Sequence, residues 1–541
     1  MTVTTSRPFE GERELPRGNL ETALDEFRAA LGENGLLLTP EAYAEYRDPY
    51  QPTAWSDFTS AAILQPTTVE QVQEIVRIAQ RHQVTIWTQS QGRNNGYGGA
   101  APRVSGCVTL NLRRMNKVLE INEKLGYALV EPGVSFQELY DAIEAQGANL
   151  MLSVPDLGWG SVVGNALDSG TTYLPNGKDF RAVCGLEVVT PDGDLLRTGM
   201  GAMEGNKSWN LYPRSFGPAL DQLFVQSNLG IVTKMGVWLT PKPEKIIHAA
   251  VTVPQDQDLI PLIDTLRELR LDGTIDGVPC VFNTLFLASG AGQRDSFWQG
   301  EQPVPEERIE EIAKELGVGR WFLRFALWGD DAIVDLQMAK AERAFAAAIP
   351  GARIVSSKRT PEEARNLPNS SDRVLSGVPN LEWLDMRGWY GGENGGHMGF
   401  SPVVPLSGQE VYDLECFMRG VMESNGLDYF SDIIVVTARA AIAVSGALYD
   451  YTDEEATRVA YDATRELVGK AGARGFGEYR AHLHFMDKAA AQYGFNDHAY
   501  LRFVERLKDA VDPAGILSPG KQGVWPRSMR AGGHDRAEVS S

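Results

Sequence analysis

The chain has 541 residues, 43% of them apolar, and a formal net charge of −20. A chain of this length buries a large core and has room for two to four domains of about 100–200 residues each. The acidic charge repels phosphate backbones and anionic lipid surfaces, which argues against nucleic-acid and membrane partners, and the four cysteines lack the spacing of a disulfide framework or a zinc site.

Helix and strand patterns alternate through the first 240 residues. Apolar residues at helical spacing predict a first helix over 20–31. Thr67 with Glu70, and Ser135 with Glu138, form the capping-box pattern that opens two further helices. Short apolar runs between turn residues predict strands at 61–64, 84–88, 107–112, 127–130, 185–190 and 195–198. The last two flank a Pro-Asp-Gly-Asp turn, which indicates a hairpin.

The pattern changes near residue 241. Longer helices are predicted at 305–316, 331–349 and 454–470, with a strand at 320–327. We therefore expect a domain boundary near residue 241. The segment 512–521 contains too many turn residues for a helix, and we expect it to return to the first domain.

A glycine-rich turn at 90–106 follows the strand at 84–88 and holds one aromatic residue, Tyr97, among small residues. Backbone N–H groups exposed by such glycines suit a pyrophosphate, and the lone tyrosine suits a substrate. The turn lacks the Gly-Lys-Ser/Thr of a Walker loop, and the strand at 107–112 stands where a dinucleotide-binding fold opens a helix. A plain structural turn is the alternative interpretation of this stretch.

Two other glycine-rich segments each carry one candidate functional side chain. His397 lies within 391–402, where the backbone can approach a flat ligand closely, although an isolated histidine is more often structural. Asp156 heads the turn at 155–165, where an aspartate is usually a local cap. No Gly-x-Ser-x-Gly elbow occurs in the chain, so serine hydrolysis has no support.

Tyr479 and Arg480 are neighbours in the sequence, and such a pair is also common at a helix end on the protein surface. His482 and His484 follow them, but two histidines at this spacing are a weak metal-ligand pattern. We therefore predict no metal site.

Six segments together resemble the vanillyl-alcohol-oxidase family of flavoproteins, in the branch that contains vanillyl-alcohol oxidase, eugenol oxidase and 4-cresol dehydrogenase and acts on para-substituted phenols. The segments are 92–103, 155–165, 226–234, 395–397, 477–480 and 512–521. The resemblance implies an α+β fold of two domains, with a p-cresol-methylhydroxylase-like FAD domain and an α/β cap domain. It assigns residues 1–240 and a C-terminal return at 485–541 to the FAD domain, and residues 241–484 to the cap.

The resemblance also implies roles for individual residues. Tyr97, Tyr479 and Arg480 match the trio that binds the phenolate oxygen of the substrate, and Asp156 matches the acid/base carboxylate near flavin N5. His397 falls at the point of covalent attachment to the flavin 8α carbon. The positions expected to lie along the FAD are Gly92, Arg93, Asn94, Asn95, Gly96, Gly160, Ser161, Asn165, Asn228, Ile231, Val232 and Lys521.

Those residue types suit the implied chemistry. Hydride leaves the carbon para to the phenol for the flavin, and the resulting p-quinone methide forms readily only from the phenolate. Two tyrosine hydroxyls and a guanidinium stabilise that anion. Asp156 then activates water for addition to the quinone methide, or accepts a proton when an alcohol becomes an aldehyde.

The chain departs from the family pattern at the substrate pocket and near the attachment point. Thr171 replaces an apolar pocket residue, and Ile442 lies in an Ala-Ile-Ala segment that replaces Met-His-His, while Ser401 is a third expected pocket residue. We expect a longer, bulkier or more methoxylated phenol as the substrate. Two extra residues precede His397, and Tyr390 is a more distant candidate for the flavin link.

The sequence thus predicts a covalent-FAD oxidase that passes electrons from a small phenol to dioxygen and releases hydrogen peroxide. A dehydrogenase with a cytochrome acceptor, an enzyme of the same fold for a non-phenolic alcohol, and a flavin-free binding protein are the alternatives. We further expect a cytoplasmic protein, since no signal core or span of about 18 uncharged apolar residues occurs. The resemblance also implies a homodimer or larger homo-oligomer.

Overall fold

Three β-sheets organise the part of the chain that the computed structural model describes, which comprises residues 15, 18–52, 55, 58–175 and 183–530. The architecture is α+β, as predicted. None of the helices in these residues is both long enough and apolar enough to cross a bilayer.

The first sheet has four strands in the order Leu36–Leu37, Ala62–Leu64, Val108–Asn111 and Ile86–Gln89. The last three are parallel to one another. All residues of Val108–Asn111 are buried, as is typical of a parallel sheet covered on both faces. Helices Leu20–Leu31 and Val69–His82 supply apolar side chains to the core on this sheet.

One sequence prediction for this region needs correction. The helix Val69–His82 is capped by Thr68 and not by Thr67, because the Thr68 hydroxyl accepts from the backbone N–H of Gln71 at 3.2 Å. Thr67 instead bonds the side-chain carbonyl of Gln71. The difference is one residue, within the ordinary uncertainty of helix starts.

The second sheet is antiparallel, with strands in the order Val118–Asn122, Tyr127–Val130, Ile231–Trp238, Val183–Val189 and Leu195–Arg197. The last two form the predicted hairpin. The predicted capping box also forms: the Ser135 hydroxyl accepts from the Glu138 N–H, and the Glu138 carboxylate accepts from the Ser135 N–H. It opens helix Phe136–Gln146. A short pair of strands, Leu150–Met151 and Thr240–Pro241, lies beside this sheet.

The third sheet is antiparallel and draws its strands from residues 245–450. Their order is Arg353–Arg359, Lys245–Val253, Trp321–Gly329, Cys280–Asn283, Phe430–Ile434, Ala440–Asp450 and Gly395–Phe400, and Val403–Pro405 also pairs with Ala440–Asp450. Two large apolar cores lie against it, one centred on Trp321, Phe325 and Phe345 and the other on Phe282, Trp389 and Phe430.

Helices and short 3₁₀ turns fill the connections. The other α-helices are Pro40–Glu45, Val162–Leu167, Leu259–Leu271, Thr284–Ala291, Glu306–Glu315, Asp331–Ala348, Pro361–Ala364, Ser370–Leu375, Gly408–Ser424, Glu454–Gly472, Met486–Ala491 and Phe495–Val511. The 3₁₀ turns are Glu33–Gly35, Gly199–Ala202, Asp221–Phe224, Asp256–Asp258, Arg294–Ser296, Glu382–Trp389, Gly392–Asn394, Leu483–Phe485, Lys521–Gly523 and Arg527–Met529. The predicted helices at 305–316, 331–349 and 454–470 form within two residues of their predicted ends.

The C-terminal part of the chain returns to the first sheet. The Ile86 N–H donates to the Ile516 carbonyl, and the Ser518 N–H donates to the Ile86 carbonyl, both at 2.7 Å. Lys508 anchors this return, since its fully buried ammonium pairs with Asp512 at 2.7 Å and donates to the carbonyls of Asn228 and Leu517 at 2.6 Å. Burial lowers the pKa of Lys508, against the attraction of Asp512.

We expect Lys508→Met to destabilise the protein by about 3 kcal/mol, because it leaves the buried Asp512 carboxylate without its cation. Lys470→Met is the matched control, since Lys470 forms a helix-surface pair with Glu466 and is half exposed. Urea unfolding of the two variants and the parent measures the difference. Equal midpoints for the two variants would contradict the anchoring role of Lys508.

Candidate functional site

A cavity of about 230 Å³ opens at the carboxyl end of the strand Ile86–Gln89. In a parallel sheet this edge is the usual place for a ligand. The cavity walls come from the glycine-rich turn, the turn before helix Val162–Leu167, the segment 224–232 and the C-terminal return. The predicted site residues that line it are Gly92, Arg93, Asn94, Tyr97, Gly160, Ser161, Asn165, Asn228, Ile231, Val232, Arg480 and Lys521.

Some of these side chains hold the cavity wall together. The Ser161 hydroxyl caps helix Val162–Leu167 and donates to the Pro132 carbonyl at 2.6 Å. The Asn228 amide donates to the carbonyls of Ser518 and Val524, both at 3.0 Å. Arg93 lies over the Trp159 indole at 4.6 Å. The first two side chains therefore face protein partners, which leaves mainly backbone groups to meet a ligand there.

The glycine-rich turn packs directly on the strand that carries His397. Gly96 has a φ of +74°, and its carbonyl accepts from the Gly399 N–H at 3.0 Å. A Cβ at Gly96 would lie 2.7 Å from the His397 ring carbon Cε1, so only glycine fits there. Asn95 beside it accepts from the Tyr50 hydroxyl at 2.5 Å.

The His397 imidazole is an isolated polar group in this contact. Its Nδ1 atom is buried and has no hydrogen-bond partner among the described residues. Burial, together with the nearby His482, lowers the pKa of His397 to about 4. The ring is therefore neutral at pH 7 and carries a free lone pair.

The three residues of the predicted phenolate site meet beside the turn. The Tyr97 hydroxyl bonds the Ser401 hydroxyl at 2.7 Å, and the Arg480 guanidinium lies 4.0 Å above the Tyr97 ring. Arg480 also donates to Asn94 Oδ1 at 2.9 Å. The backbone N–H of Tyr479 donates to the Ser401 carbonyl at 3.2 Å. Burial raises the pKa of Tyr97, although Arg480 opposes the shift.

Asp168 joins this group, although no sequence pattern indicated it. Its carboxylate accepts from Lys521 at 2.8 Å and lies 3.7 Å from Arg480 Nε. Burial would raise its pKa, but Lys521 and Arg480 outweigh burial and lower it. Asp168 is therefore ionised. It follows an ordinary short helix in the sequence, and only the folded chain places it between two cations.

Asp156 lies in a second buried cluster. Its carboxylate accepts from the Tyr173 hydroxyl and lies 3.3 Å from an Arg324 nitrogen. Arg324 is 5% exposed and also donates to the Ser371 hydroxyl. Asp432 adds a second carboxyl, whose pKa is raised to about 8 by burial, although Arg324 opposes the shift.

Sequence reasoning missed the partners of Asp156. Arg324 interrupts the apolar strand Trp321–Gly329, and a charged residue inside a buried strand is a signal of a paired charge. Nothing local marks Tyr173 or Asp432. Strand pairing brings Asp432 close to Arg324, because the strand Cys280–Asn283 pairs with both of their strands. Tyr173 reaches the cluster through its backbone carbonyl, which accepts from the Val278 N–H at 3.0 Å.

Eight predicted site residues do not line the cavity: Asn95, Gly96, Asp156, Thr171, His397, Ser401, Ile442 and Tyr479. Thr171 has a buried hydroxyl without a hydrogen-bond partner in the described part of the chain. Ile442 is buried in the strand Ala440–Asp450 and belongs to the core against which Tyr479 packs. No cluster of three or more metal-ligating side chains occurs among the described residues.

Two family models match the chain. The FAD binding domain matches residues 60–199, and the C-terminal domain of FAD linked oxidases matches residues 446–522. The flavoprotein subunit of 4-cresol dehydrogenase (hydroxylating) from Pseudomonas putida is 37% identical over 515 residues, which cover 94% of this chain and 96% of that protein. The 1'-carboxy-chondrochloren decarboxylase of Chondromyces crocatus is 29% identical over 94% of this chain and 98% of its own length.

Solved structures agree with these matches. The 4-ethylphenol oxidase from Gulosibacter chungangensis, in complex with isoeugenol, superposes with a TM-score of 0.90 at 36% identity, covering 96% of this chain and all of the other. The p-cresol methylhydroxylase with substrate bound gives a TM-score of 0.89 at 36% identity, covering 94% and 98% of the two chains. The first of these structures contains isoeugenol, and the second contains a bound substrate.

We expect Asp168→Asn to destabilise the protein by about 3 kcal/mol at pH 7, because Arg480 and Lys521 lose their shared anion. The pKa of Asp168 is lowered in the fold, so its contribution is fully present above the ordinary value of 3.8 and is lost as the pH falls through the folded value. Urea unfolding between pH 7 and pH 3.5 measures this. Asp462→Asn, which removes an exposed helix-surface carboxylate, is the control. A difference from the parent that grows toward low pH would contradict this role.

Proposed function

Because this chain belongs to the family of FAD-dependent phenol oxidoreductases that contains vanillyl-alcohol oxidase and p-cresol methylhydroxylase, we propose that it oxidises para-alkyl or para-hydroxymethyl phenols with dioxygen as the electron acceptor. Flavin-dependent oxidation of para-substituted phenols is its reaction class. We also propose that the enzyme releases hydrogen peroxide and that the organic product is an aldehyde, a benzylic alcohol or a vinylic compound. The observation that carries it is the contact of the Arg480 guanidinium with both Tyr97 and Tyr479, beside a cavity lined by glycine-rich turns.

The described residues fit FAD. The turn from Gly92 to Gly96 has glycines at positive φ at both ends, which suits backbone N–H donors for a pyrophosphate. We infer that residues 1–240 and 485–541 hold the cofactor and that residues 241–484 form the cap. Sheet membership supports this division, since the strands from Lys245 to Asp450 form one sheet. When bound, FAD supplies the two-electron acceptor for oxidation of the phenol.

We propose that His397 is the covalent attachment point. A neutral imidazole with an unused nitrogen, packed against Gly96 of the glycine-rich turn, is chemically suited to this role. The rival Tyr390 is committed elsewhere, because its hydroxyl donates to the buried Asp428 carboxylate at 2.7 Å. Asp428 in turn accepts from Arg294 and from the Trp389 indole.

The phenol hydroxyl is proposed to bind as a phenolate between Tyr97, Tyr479 and Arg480. Loss of hydride from the benzylic carbon of the para substituent leaves a p-quinone methide. The phenolate oxygen supplies the electrons that make this loss favourable. The Arg480 charge and the tyrosine donors hold that oxygen in its ionised state. A buried site strengthens these interactions, since little water competes with them.

Asp156 is the proposed proton acceptor. Tyr173 and Arg324 both contact its carboxylate, and they fix its orientation. A carboxylate held in this way can take a proton from an incoming water or from a benzylic hydroxyl. Arg324 is the group that offsets the cost of a negative charge there.

A cytochrome-dependent dehydrogenase is the second candidate function. The identity of 37% with the flavoprotein subunit of 4-cresol dehydrogenase favours it. The oxidase proposal is supported by His397, because the dehydrogenase branch is expected to link its flavin through a tyrosine, and Met386, Arg387 and Gly388 occupy that neighbourhood here. We also propose a substrate that is longer or more methoxylated than cresol. This proposal rests on Thr171 and Ile442, which replace other residue types of the family in the expected pocket.

Anaerobic addition of 4-propylguaiacol should bleach the visible flavin band of the parent protein, and readmission of oxygen should restore it within seconds. Arg480→Met should slow bleaching by a factor of about 10² to 10³, because a charged donor to the developing phenolate oxygen is lost. Arg502→Met, at an exposed ion pair, is the matched control. Stopped-flow absorbance follows both phases.

Each result of this experiment decides one part of the proposal. A flavin that stays oxidised with 4-propylguaiacol and with 4-cresol would overturn phenol oxidation. Faster bleaching by 4-cresol would overturn the expectation of a longer substrate. A reduced flavin that oxygen does not reoxidise would favour the dehydrogenase.

His397→Ala should abolish covalent attachment while the protein still binds FAD, because the cavity walls remain. The yellow colour of the parent should stay with the protein after acid precipitation, whereas that of the variant should be released into the supernatant. Tyr390→Phe is the control and should retain the attached flavin. Release from the Tyr390 variant and not from the His397 variant would assign the link to Tyr390.

A further inference from the structure

Glu478 lies immediately before the Tyr479–Arg480 pair and has no role in the chemistry described above. Its backbone forms an isolated antiparallel bridge with Pro402, and its carbonyl accepts from the Tyr493 hydroxyl at 3.0 Å. These contacts fix the direction of the chain through Arg480. The residue is only 8% exposed.

The Glu478 carboxyl is buried without the partners that a charge requires. Neither of its oxygens has a hydrogen-bond partner of normal geometry among the described residues, and the N–H of Ser401 is the one backbone group that favours its charged form. Burial raises the pKa of Glu478 well above its ordinary value. A carboxyl group that is buried without partners in this way favours its neutral form.

The groups around this carboxyl belong to the proposed phenolate site. Its negative form would raise the pKa of Tyr97 and of Tyr493, the tyrosines that face it from the glycine-rich turn and from the end of helix Met486–Ala491. Tyr479 and Arg480 follow on its own segment. Arg480 is the nearby cation, and it is already paired with Asp168.

We propose that Glu478 is a positioning residue that must stay a neutral acid for the phenolate to bind, and that its ionisation sets the alkaline limit of substrate binding. This inference rests on the proposed role of Tyr97, Tyr479 and Arg480. A carboxylate beside Tyr97 would place a second negative charge next to the phenolate oxygen. Arg480 cannot offset both, since Asp168 already shares its charge.

The expected effect of pH on phenolate binding has a definite direction. Below its folded pKa, Glu478 is uncharged and the phenolate meets only donors and the Arg480 cation. As the pH rises through that value, the new charge repels the phenolate and also weakens the stability of the fold. Repulsion between unit charges a few ångströms apart at a partly buried site corresponds to about tenfold or more in affinity.

The test compares Glu478→Gln with the parent holoenzyme, using 4-chlorophenol as the probe. This phenol carries chlorine, and no alkyl carbon, para to its hydroxyl. It therefore has no hydride to lose and binds without reaction. Difference absorbance gives its Kd and shows whether the bound form is the phenolate. Titration between pH 6 and pH 10 is expected to give similar Kd values for the two proteins at pH 6. The parent should bind about tenfold more weakly than the variant at the alkaline end.

Ionisation of the free probe affects both proteins equally and cancels in the ratio of their Kd values. Glu393→Gln, which removes one exposed carboxylate near His397, is the control for net charge and should follow the parent. A second measurement is thermal unfolding, which does not depend on the phenol. The midpoint of Glu478→Gln should rise relative to the parent as the pH increases, because glutamine has no charge to bury.

The outcomes separate this inference from the proposed function. Bound 4-chlorophenol without a phenolate spectrum in the parent would overturn the phenolate role of the trio. A phenolate spectrum together with a pH-independent ratio of Kd values would overturn the role of Glu478 alone. If Glu478→Gln does not fold, Glu478→Met, similar in length and uncharged, takes its place with the same expected ratio.

Discussion

The carboxylate of Asp168 is buried between two cations, and the arrangement of the site depends on this contact. Lys521 comes from the C-terminal return, Arg480 from the segment after the third sheet, and Asp168 from the end of helix Val162–Leu167. Separating any of the three would leave an uncompensated charge in a largely buried position, at a cost of about 3 kcal/mol. The pairing therefore holds Arg480 above Tyr97 and closes one side of the cavity.

Close backbone approach provides the second constraint. A Cβ at Gly399 would lie 2.8 Å from the Tyr97 ring carbon Cζ, and one at Gly96 would overlap the His397 ring. The two glycines thus let the turn of the first sheet touch a strand of the third sheet. His397 and Tyr97 occupy the two sides of this contact, which explains how a candidate flavin link and a candidate phenolate donor come from different sheets and still lie close together.

Local patterns in the sequence predicted the elements well, because their signals lie within one turn or one strand. The capping box of Ser135 and Glu138 needs only residues three positions apart, and the hairpin at 185–198 needs only its turn. Asp168, Arg324 and Asp432 escaped prediction for the opposite reason. Their roles arise from partners more than 100 residues away in the sequence. Arg324 carried one local signal, its position inside an apolar strand, but that signal does not identify its partners. The resemblance to a family supplied Tyr97, Tyr479 and Arg480, which composition and spacing alone left as ordinary turn and surface residues.

The buried carboxyl groups of this region differ in charge because their neighbours differ. Two cations lower the pKa of Asp168 and favour its ionised form, whereas Glu478 has only a backbone N–H to oppose burial, and its pKa is raised. Near Tyr97, the two positive charges of Lys521 and Arg480 and the negative charge of Asp168 sum to one positive charge. This charge is available to the proposed phenolate. Asp432, with a pKa raised to about 8, creates a different balance around Arg324. Below that pH the Arg324 guanidinium pairs with the Asp156 carboxylate alone. Above it, the carboxylates of Asp156 and Asp432 share the one Arg324 cation. If Glu478 acts as proposed, alkaline pH weakens the charge balance at both clusters, through Glu478 beside the proposed phenolate site and through Asp432 beside the proposed proton acceptor.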